Sequence, residues 1–532
     1  MNPFRLILTV LLFYISTGYA QQVKVLSWGD QGNGMYKNPI INGDYSDPDV
    51  IRVGSDYYLI TSTFHLSPGI TVLHSKDLVN WKIIGHAITD IAYIDSIYSA
   101  NKMGEYGHGV WAPAIRYHDG KYWIYVFDPA FGLFMTTATN PAGPWEQVHQ
   151  VFKAKNYDDC CPFWDEDGQM YLSCANFDRG WPNDYDIKLF KLTANGKHLQ
   201  DSGIVIHKGP VAEATKMYKI NGWYYILYCQ DFKDTHRAQM AMRSRNIYGP
   251  YEHKRLCQER GMQSKDFGNN AAQGGLVQTE KGDWFFLHHW AVMSNPMGRT
   301  LAMAPVTWID DWPIIGKVEI DGVGSMVLEG KKPISNFPIV RPQTNDEFNT
   351  SSLGLMWEWN HSPRNDKWSL IERKGFLRLY ASQPLQKDDF FKASNTLLQR
   401  VMGSKYGNIT TCIDISKMTN GQSAGLCVVS KNLGLLKIVQ KDNKRFIQTY
   451  TNARNQNGKL IPTHKVWLKA ISEDNTYQFY YSFDGKKFKL AGEKFKLDDW
   501  CNWRGVEIGL FCWNNDASSG YVDINWFRYD YK

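Results

Sequence analysis

In the first half of the chain, apolar and polar residues follow a two-residue beat interrupted by glycines, and helical spacing is scarce. One pattern recurs five times: a glycine, then aromatic side chains within three residues, then a short apolar run. It is seen at Gly54 before Tyr57-Tyr58-Leu59, Gly120 before Tyr122-Trp123-Ile124, and Gly168 before Met170-Tyr171-Leu172. Gly222 before Trp223-Tyr224-Tyr225 and Gly282 before Trp284-Phe285-Phe286 complete the set. The glycines lie 66, 48, 54 and 60 residues apart. Each copy predicts a hairpin turn leading into a buried strand. A second aromatic marker follows in several copies, at Trp81, Trp145, Tyr251 and Trp312.

Repeats of this length, each a few short strands, predict blades around a central channel. The expected architecture is therefore all-β, with a five-bladed β-propeller over residues 21–325. Residues 326–345, with Lys331-Lys332-Pro333, Pro338 and Pro342, read as a linker. From 346 to 532 the strand-like alternation continues, as in Phe376-Leu377-Arg378-Leu379-Tyr380, but the glycine repeat does not return. A β-sandwich is the expectation there. A length of 532 residues already requires more than one core.

Composition narrows the classes of function. With 43% hydrophobic and 21% charged residues the balance is that of a soluble globular chain. The 20 Trp, 30 Tyr and 26 Phe are in excess, which suits strands and also walls that stack on sugar rings. A net charge of +6 without a long basic run argues against nucleic acid and anionic membranes as partners. Residues 1–20, with Arg5, the apolar run Leu6–Phe13 and Gly18-Tyr19-Ala20, have the layout of a secretory leader and are too short to span a bilayer. Export to the periplasm or medium is expected, without a lipid anchor, because Gln21 and Gln22 follow the cleavage-type position. Nine cysteines, an odd number, leave at least one thiol free, and most are read as buried packing groups. No Cys-x-x-Cys or His-Glu-x-x-His occurs, which argues against zinc.

The repeat also serves as a ruler. Residues at equal offsets before the five glycines should sit at similar depth in the channel. Nine positions before the second to fifth glycines stand Trp111, Asp159, Glu213 and Gln273, and seven before the first stands Asp47. Taken singly, each acid is an ordinary surface or turn residue; Ser46-Asp47-Pro48-Asp49 alone would be an Asx turn. Convergence from separate blades points instead to paired-carboxylate chemistry, an acid for the leaving oxygen and a base or nucleophile opposite. Glu213, within Pro210-Val211-Ala212-Glu213-Ala214, is in an apolar setting that favours its protonated form; Asp47, in a polar turn, is expected ionised.

These residues resemble a known family. Asp44-Tyr45-Ser46-Asp47-Pro48-Asp49, Val110-Trp111-Ala112-Pro113, Asp159 through Gly168, Glu213-Ala214-Thr215-Lys216 and Gly298-Arg299 are similar to motifs of glycoside hydrolase family 43, a group of five-bladed, inverting enzymes. Trp357-Glu358-Trp359-Asn360 and Gly375-Phe376-Leu377-Arg378-Leu379 resemble the sandwich of its xylosidase and arabinofuranosidase members. The resemblance implies Asp47 as general base, Glu213 as general acid and Asp159 as the residue that orients the acid. It implies that Arg299 bonds a sugar hydroxyl, with Phe64 and Trp111 shaping the pocket; Gln273 is a substrate-binding candidate by its repeat position alone. His288, with His289 beside it, occupies the position of a central histidine often found near calcium, so calcium there is the one metal the resemblance suggests; no cofactor is required. Trp503, in a sandwich loop, is the candidate for closing the pocket into a blind end.

The expected function is removal of terminal α-L-arabinofuranosyl or β-D-xylosyl residues from hemicellulose oligosaccharides with inversion. The alternatives are a sugar-binding propeller without catalysis and a retaining five-bladed enzyme.

Overall fold

The computed structural model describes residues 28–180, 182–233, 236–258, 270–291, 297–403, 405–497 and 503–532. Residues 1–20, read from the sequence as a leader, and Cys501 lie outside the described residues. Among those residues the regular elements are strands and four short 3-10 turns.

Five antiparallel sheets, built from strands consecutive in sequence apart from short additions, follow one another along the first half. Their first strands are Asp49–Val53, Trp111–His118, Tyr157–Trp164, Glu213–Ile220 and Asn270–Gln278. Each first strand packs beside the first strand of the next sheet, and that of the fifth sheet packs beside that of the first. All five repeat glycines fall in the hairpin between first and second strands, with φ of 60°, 72°, 81°, 73° and 92°. A Cβ is strained in that backbone region, which is why the repeat begins on glycine. Ile41–Asp44 adds to the third strand of the fifth sheet, so the chain just ahead of Asp47 is held by the last sheet rather than the first.

Side chains bond across the seams between sheets. Asp49 accepts from the Ile115 backbone at 2.9 Å and from Arg116 at 2.7 Å. Between the third and fourth sheets, Thr215 donates to the Asp159 carbonyl at 2.6 Å, and the Met217 N–H reaches Cys161 Sγ at 3.1 Å. The eight described cysteines are all buried and unbridged. Cys161 is thus a seam acceptor as well as a packing group.

The C-terminal half forms a seven-stranded sheet and supplies seven strands of an eight-stranded one. Between them Leu379, Ile413, Leu426, Ile438, Leu468, Leu510 and Ile524 are buried. The halves are joined directly: Leu66–Ser67 from the first half pairs with Glu358–Asn360 of the eight-stranded sheet. The stretch read as a linker is pinned too. Glu329–Lys331 pairs with Met35–Lys37, and the Lys332 ammonium lies 2.5 Å from Asp30 and 2.9 Å from Asp77. A lysine pair beside proline reads as solvated chain, but two buried carboxylates fix one of these lysines in place.

Candidate active site

The same backbone irregularity recurs where the first strands begin. Asp47, Ala112, Asp159, Ala214 and Gln273 have φ of 52°, 36°, 54°, 64° and 60°. In the second to fifth sheets the ladder slips at or beside these positions, the mark of a bulge. Bulges re-aim side chains, and positive φ at non-glycine residues is strain that clusters at functional sites. The offset of nine therefore holds for Asp159 and Gln273 but misses by one in the second and fourth sheets. There the hairpin is a residue shorter, and Trp111 and Glu213 stand one position ahead of the irregular residue.

Asp47 is locked. Arg299 grips both its carboxylate oxygens, at 2.5 and 2.8 Å, and the Ser62 hydroxyl donates to Oδ2 at 2.6 Å. His289 Nδ1 accepts the Asp47 N–H at 3.2 Å and lies 3.4 Å from Oδ1. Burial pushes the carboxyl up, but the Arg299 charge and the Ser62 hydrogen bond more than reverse this and hold it well below the usual carboxylate range. His289 is kept neutral, its pKa lowered by burial to about 4.

Glu213 has a different setting. Its side chain keeps 26% of its surface open, against 5% for Asp47. Arg237 donates to Oε1 and also reaches Asp231 Oδ1 at 3.4 Å. Burial raises the Glu213 carboxyl, Arg237 lowers it, and the negative charges of Asp231 and Asp47 add to the rise, leaving it raised overall. Asp159 sits between sheets: Oδ2 accepts from the Ala214 N–H at 2.9 Å, and Oδ1 from Gln273 Nε2 at 2.7 Å. Burial and the neighbouring Glu213 charge push it up to about 7. Asp158, whose Oδ1 accepts the Asp159 N–H at 2.8 Å, is a fourth acid in the group and is also raised, by burial and by Asp159.

Rings form the walls. Phe64 is buried, and its ring lies edge-on to Trp111 at 6.3 Å. Trp503, 49% exposed, places its ring 5.9 Å from the Arg299 guanidinium, so a sandwich residue borders the site. The contact is tight: a Cβ on Gly298 would lie 2.5 Å from the Gly505 nitrogen. The neighbouring Arg504 donates to the Thr63 carbonyl at 3.0 Å and pairs with Glu507.

The two neighbouring histidines have different surroundings. His289, not His288, touches Asp47; in a strand adjacent side chains face opposite ways. His288 is fully buried, stacked on Phe286 at 5.5 Å, with Nδ1 at the His289 carbonyl and Nε2 unpartnered. Calcium takes about six to eight oxygens. Among the described residues no group of three or more His, Cys, Asp or Glu gathers to hold a metal, and nothing in the structure supports calcium at His288. Sequence reasoning missed Arg237, Asp158 and Arg504 as members of the site. Asp158 alone left a signal, as the second acid of a pair at a repeat position.

An all-β frame that gathers carboxylates among aromatic rings is the equipment of a glycoside hydrolase. The chain belongs to glycosyl hydrolase family 43, whose model matches residues 36–313. Residues 345–530 match the "Beta xylosidase C-terminal Concanavalin A-like domain". A protein of Formosa agariphila named "Beta-xylosidase" is 36% identical, covering 95% of this chain and 92% of its own. One of Bacteroides ovatus named "Non-reducing end alpha-L-arabinofuranosidase BoGH43B" is 33% identical, covering 93% and 94%. The solved structure of the BlXynB protein of this family from Bacillus licheniformis superposes with a TM-score of 0.80 at 27% identity, over 93% of this chain and 99% of that one. The family needs no cofactor. Among the described residues no helix is long and apolar enough to cross a membrane.

Proposed function

We propose that the protein is an exported, inverting exo-glycosidase that releases terminal β-D-xylosyl or α-L-arabinofuranosyl residues from hemicellulose oligosaccharides. The observation that carries this reading is the opposite electrostatic setting of two carboxylates at one site: Asp47 held ionised by Arg299, Glu213 raised. Pairs of acids pushed apart in this way mark the base and the acid of a hydrolase. Asp47 takes a proton from a water that attacks the anomeric carbon. Glu213 gives its proton to the departing oxygen, and the bond to that oxygen breaks. Asp159, with Gln273 behind it, accepts from the Ala214 N–H and so orients the strand that carries Glu213. Phe64 and Trp111 wall the terminal sugar, and Trp503 closes the far side, which favours removal of one sugar per event. Arg299 serves first to hold Asp47 and offers its remaining N–H groups to a sugar hydroxyl.

The five sheets are proposed as blades of a propeller, with the bulged ends of the first strands at one mouth of its channel. The names of the relatives support both pentoses. Export rests on the residue 1–20 pattern and is tested by N-terminal sequencing of protein recovered outside the cytoplasm. The activity is tested with 4-nitrophenyl β-D-xylopyranoside and α-L-arabinofuranoside, following the first-released sugar by proton NMR. Release with inverted configuration is expected. Retained configuration, or background rates on both substrates, overturns the reading.

A further inference from the structure

The wall residue Phe64 stands in strained backbone: its φ is 57°, in the left-handed region that a β-carbon disfavours. Such a residue keeps its geometry only where its surroundings fix it. Phe64 exchanges both backbone hydrogen bonds with Val110, each at 3.0 Å. Gly109 allows that approach, since a Cβ there would lie 2.4 Å from the Phe64 oxygen. One step earlier the Thr63 hydroxyl accepts the Ile70 N–H at 2.8 Å, and the Thr63 carbonyl accepts the Leu66 N–H at 3.2 Å. These partners all come from the first half of the chain. The same carbonyl takes a further bond from the sandwich, Arg504 Nη1 at 3.0 Å across 441 residues of sequence.

Arg504 is itself fixed. Its Nη2 pairs with Glu507, and both side chains are buried. Its guanidinium lies 5.3 Å from the Phe64 ring centroid, and that of Arg299 lies 5.9 Å from the same ring. Phe64 thus meets two cations at cation–π distance, one that grips Asp47 and one supplied by the other domain. A buried ion pair adds little net stability over apolar side chains of the same size. What a guanidinium adds is direction, because its planar fork offers several N–H groups at fixed angles, and here the fork joins Glu507 to the backbone of the wall. A second sandwich arginine, Arg400, bonds Glu358 at 2.9 Å and Thr71 at 3.0 Å and lies 4.8 Å from the Tyr45 ring. It braces Tyr45 and the strand Gly69–Ser75, whereas Arg504 braces the Phe64 turn. Ser62, which donates to Asp47, also accepts the Ala112 N–H at 2.8 Å, so the base keeps support of its own.

We infer that Arg504 is a positioning residue: it holds the Phe64 turn so that the ring stands against the terminal sugar, and so sets the affinity for that sugar. The inference rests on Phe64 walling the sugar pocket. Without the guanidinium the Thr63 carbonyl loses its bond to the sandwich, the strained turn relaxes toward ordinary φ, and the ring leaves the sugar.

The test uses the full chain and a double-mutant cycle read by calorimetric titration with xylose and arabinose. Arg504→Met combined with Glu507→Gln removes the guanidinium without leaving a buried charge unpaired, and should weaken binding of the preferred sugar about tenfold. Arg504→Lys keeps the charge at the interface and so spares the fold. One ammonium cannot reproduce the fork, and a loss of about threefold is expected. In a Phe64→Ala background, itself weakened, either change should cost less than about twofold, because the ring it positions is gone. On the 4-nitrophenyl glycoside of that sugar the loss should appear in KM. A merely structural role would lower the active fraction, and hence kcat at unchanged KM. Equal losses with and without Phe64, sugar affinity unchanged in both Arg504 variants, or a fall in kcat at constant KM overturns the inference. Failure of the hydrolase reading shows separately, as background turnover by the native enzyme, while the titrations still report on the wall.

Discussion

The two sides of the site are built on different principles. On the Asp47 side everything is closed: a bidentate arginine, a serine, a neutral histidine and a sandwich loop pressed against Gly298 leave 5% of the side chain exposed. On the Glu213 side a single arginine is divided between two acids, a quarter of the side chain is open, and a cleft adjoins it. A base that activates water must stay ionised and fixed in position. An acid must gain and lose a proton in each cycle, so its neighbours must let its charge change.

The largest expected effect comes from breaking each side in turn. Asp47→Asn should lower kcat by about 10² to 10⁴, the usual worth of a positioned proton acceptor, on every substrate tried. Glu213→Gln should cost as much on xylobiose or arabinofuranosyl-xylobiose, whose leaving oxygen needs a proton, yet far less on a 2,4-dinitrophenyl glycoside, whose leaving group departs unaided. Steady-state rates on the two substrate kinds make the comparison. Equal losses for both variants on both kinds would mean the division of roles is wrong.

Stability should divide along the same line. Arg299→Met leaves Asp47 charged, buried and unpaired, a change that costs about 3 to 5 kcal/mol when one partner of a buried pair is removed. Arg237→Met strands a carboxylate that is partly open and able to hold its proton, so its cost should be clearly smaller. Chemical denaturation of the two variants beside the parent checks the order. A larger loss for Arg237→Met would reverse the contrast between a locked and an open side.

How much of this was legible beforehand follows from the range of each interaction. The five glycine–aromatic copies marked the hairpins correctly because positive φ at a turn is a local demand, met by the residue itself. Asp47, Asp159 and Glu213 could be grouped beforehand because repeats carry register, although a hairpin one residue shorter put the ruler out by one at Trp111 and Glu213. Arg237, Arg504 and the pairing of His289 rather than His288 with Asp47 were not legible. An arginine 24 residues from its glutamate, or a sandwich arginine on the Thr63 carbonyl, announces itself only when strands from separate elements meet. The anchoring of the linker was not legible for the same reason, since the partners of Lys332 lie some 300 and 250 residues earlier in the sequence.

The smallest expected effect concerns Asp159, which sharpens the comparison because it belongs to the open side yet is itself buried. Its folded-state pKa, about 7, lies above the 3.8 of an unperturbed aspartate. A group raised on folding contributes stability that is fully present below the unfolded value and is lost as pH rises through the folded one. The parent should therefore lose stability between about pH 4 and 7 on this account, and Asp159→Asn should flatten that slope in melting experiments. The same substitution removes a negative charge that disfavours the ionised form of Glu213, so the basic limb of kcat/KM should move to lower pH. The acid limb, set by Asp47 under Arg299, should stay well below the ordinary carboxylate range in both proteins. A shift of both limbs together would show that the two sides share one electrostatic environment.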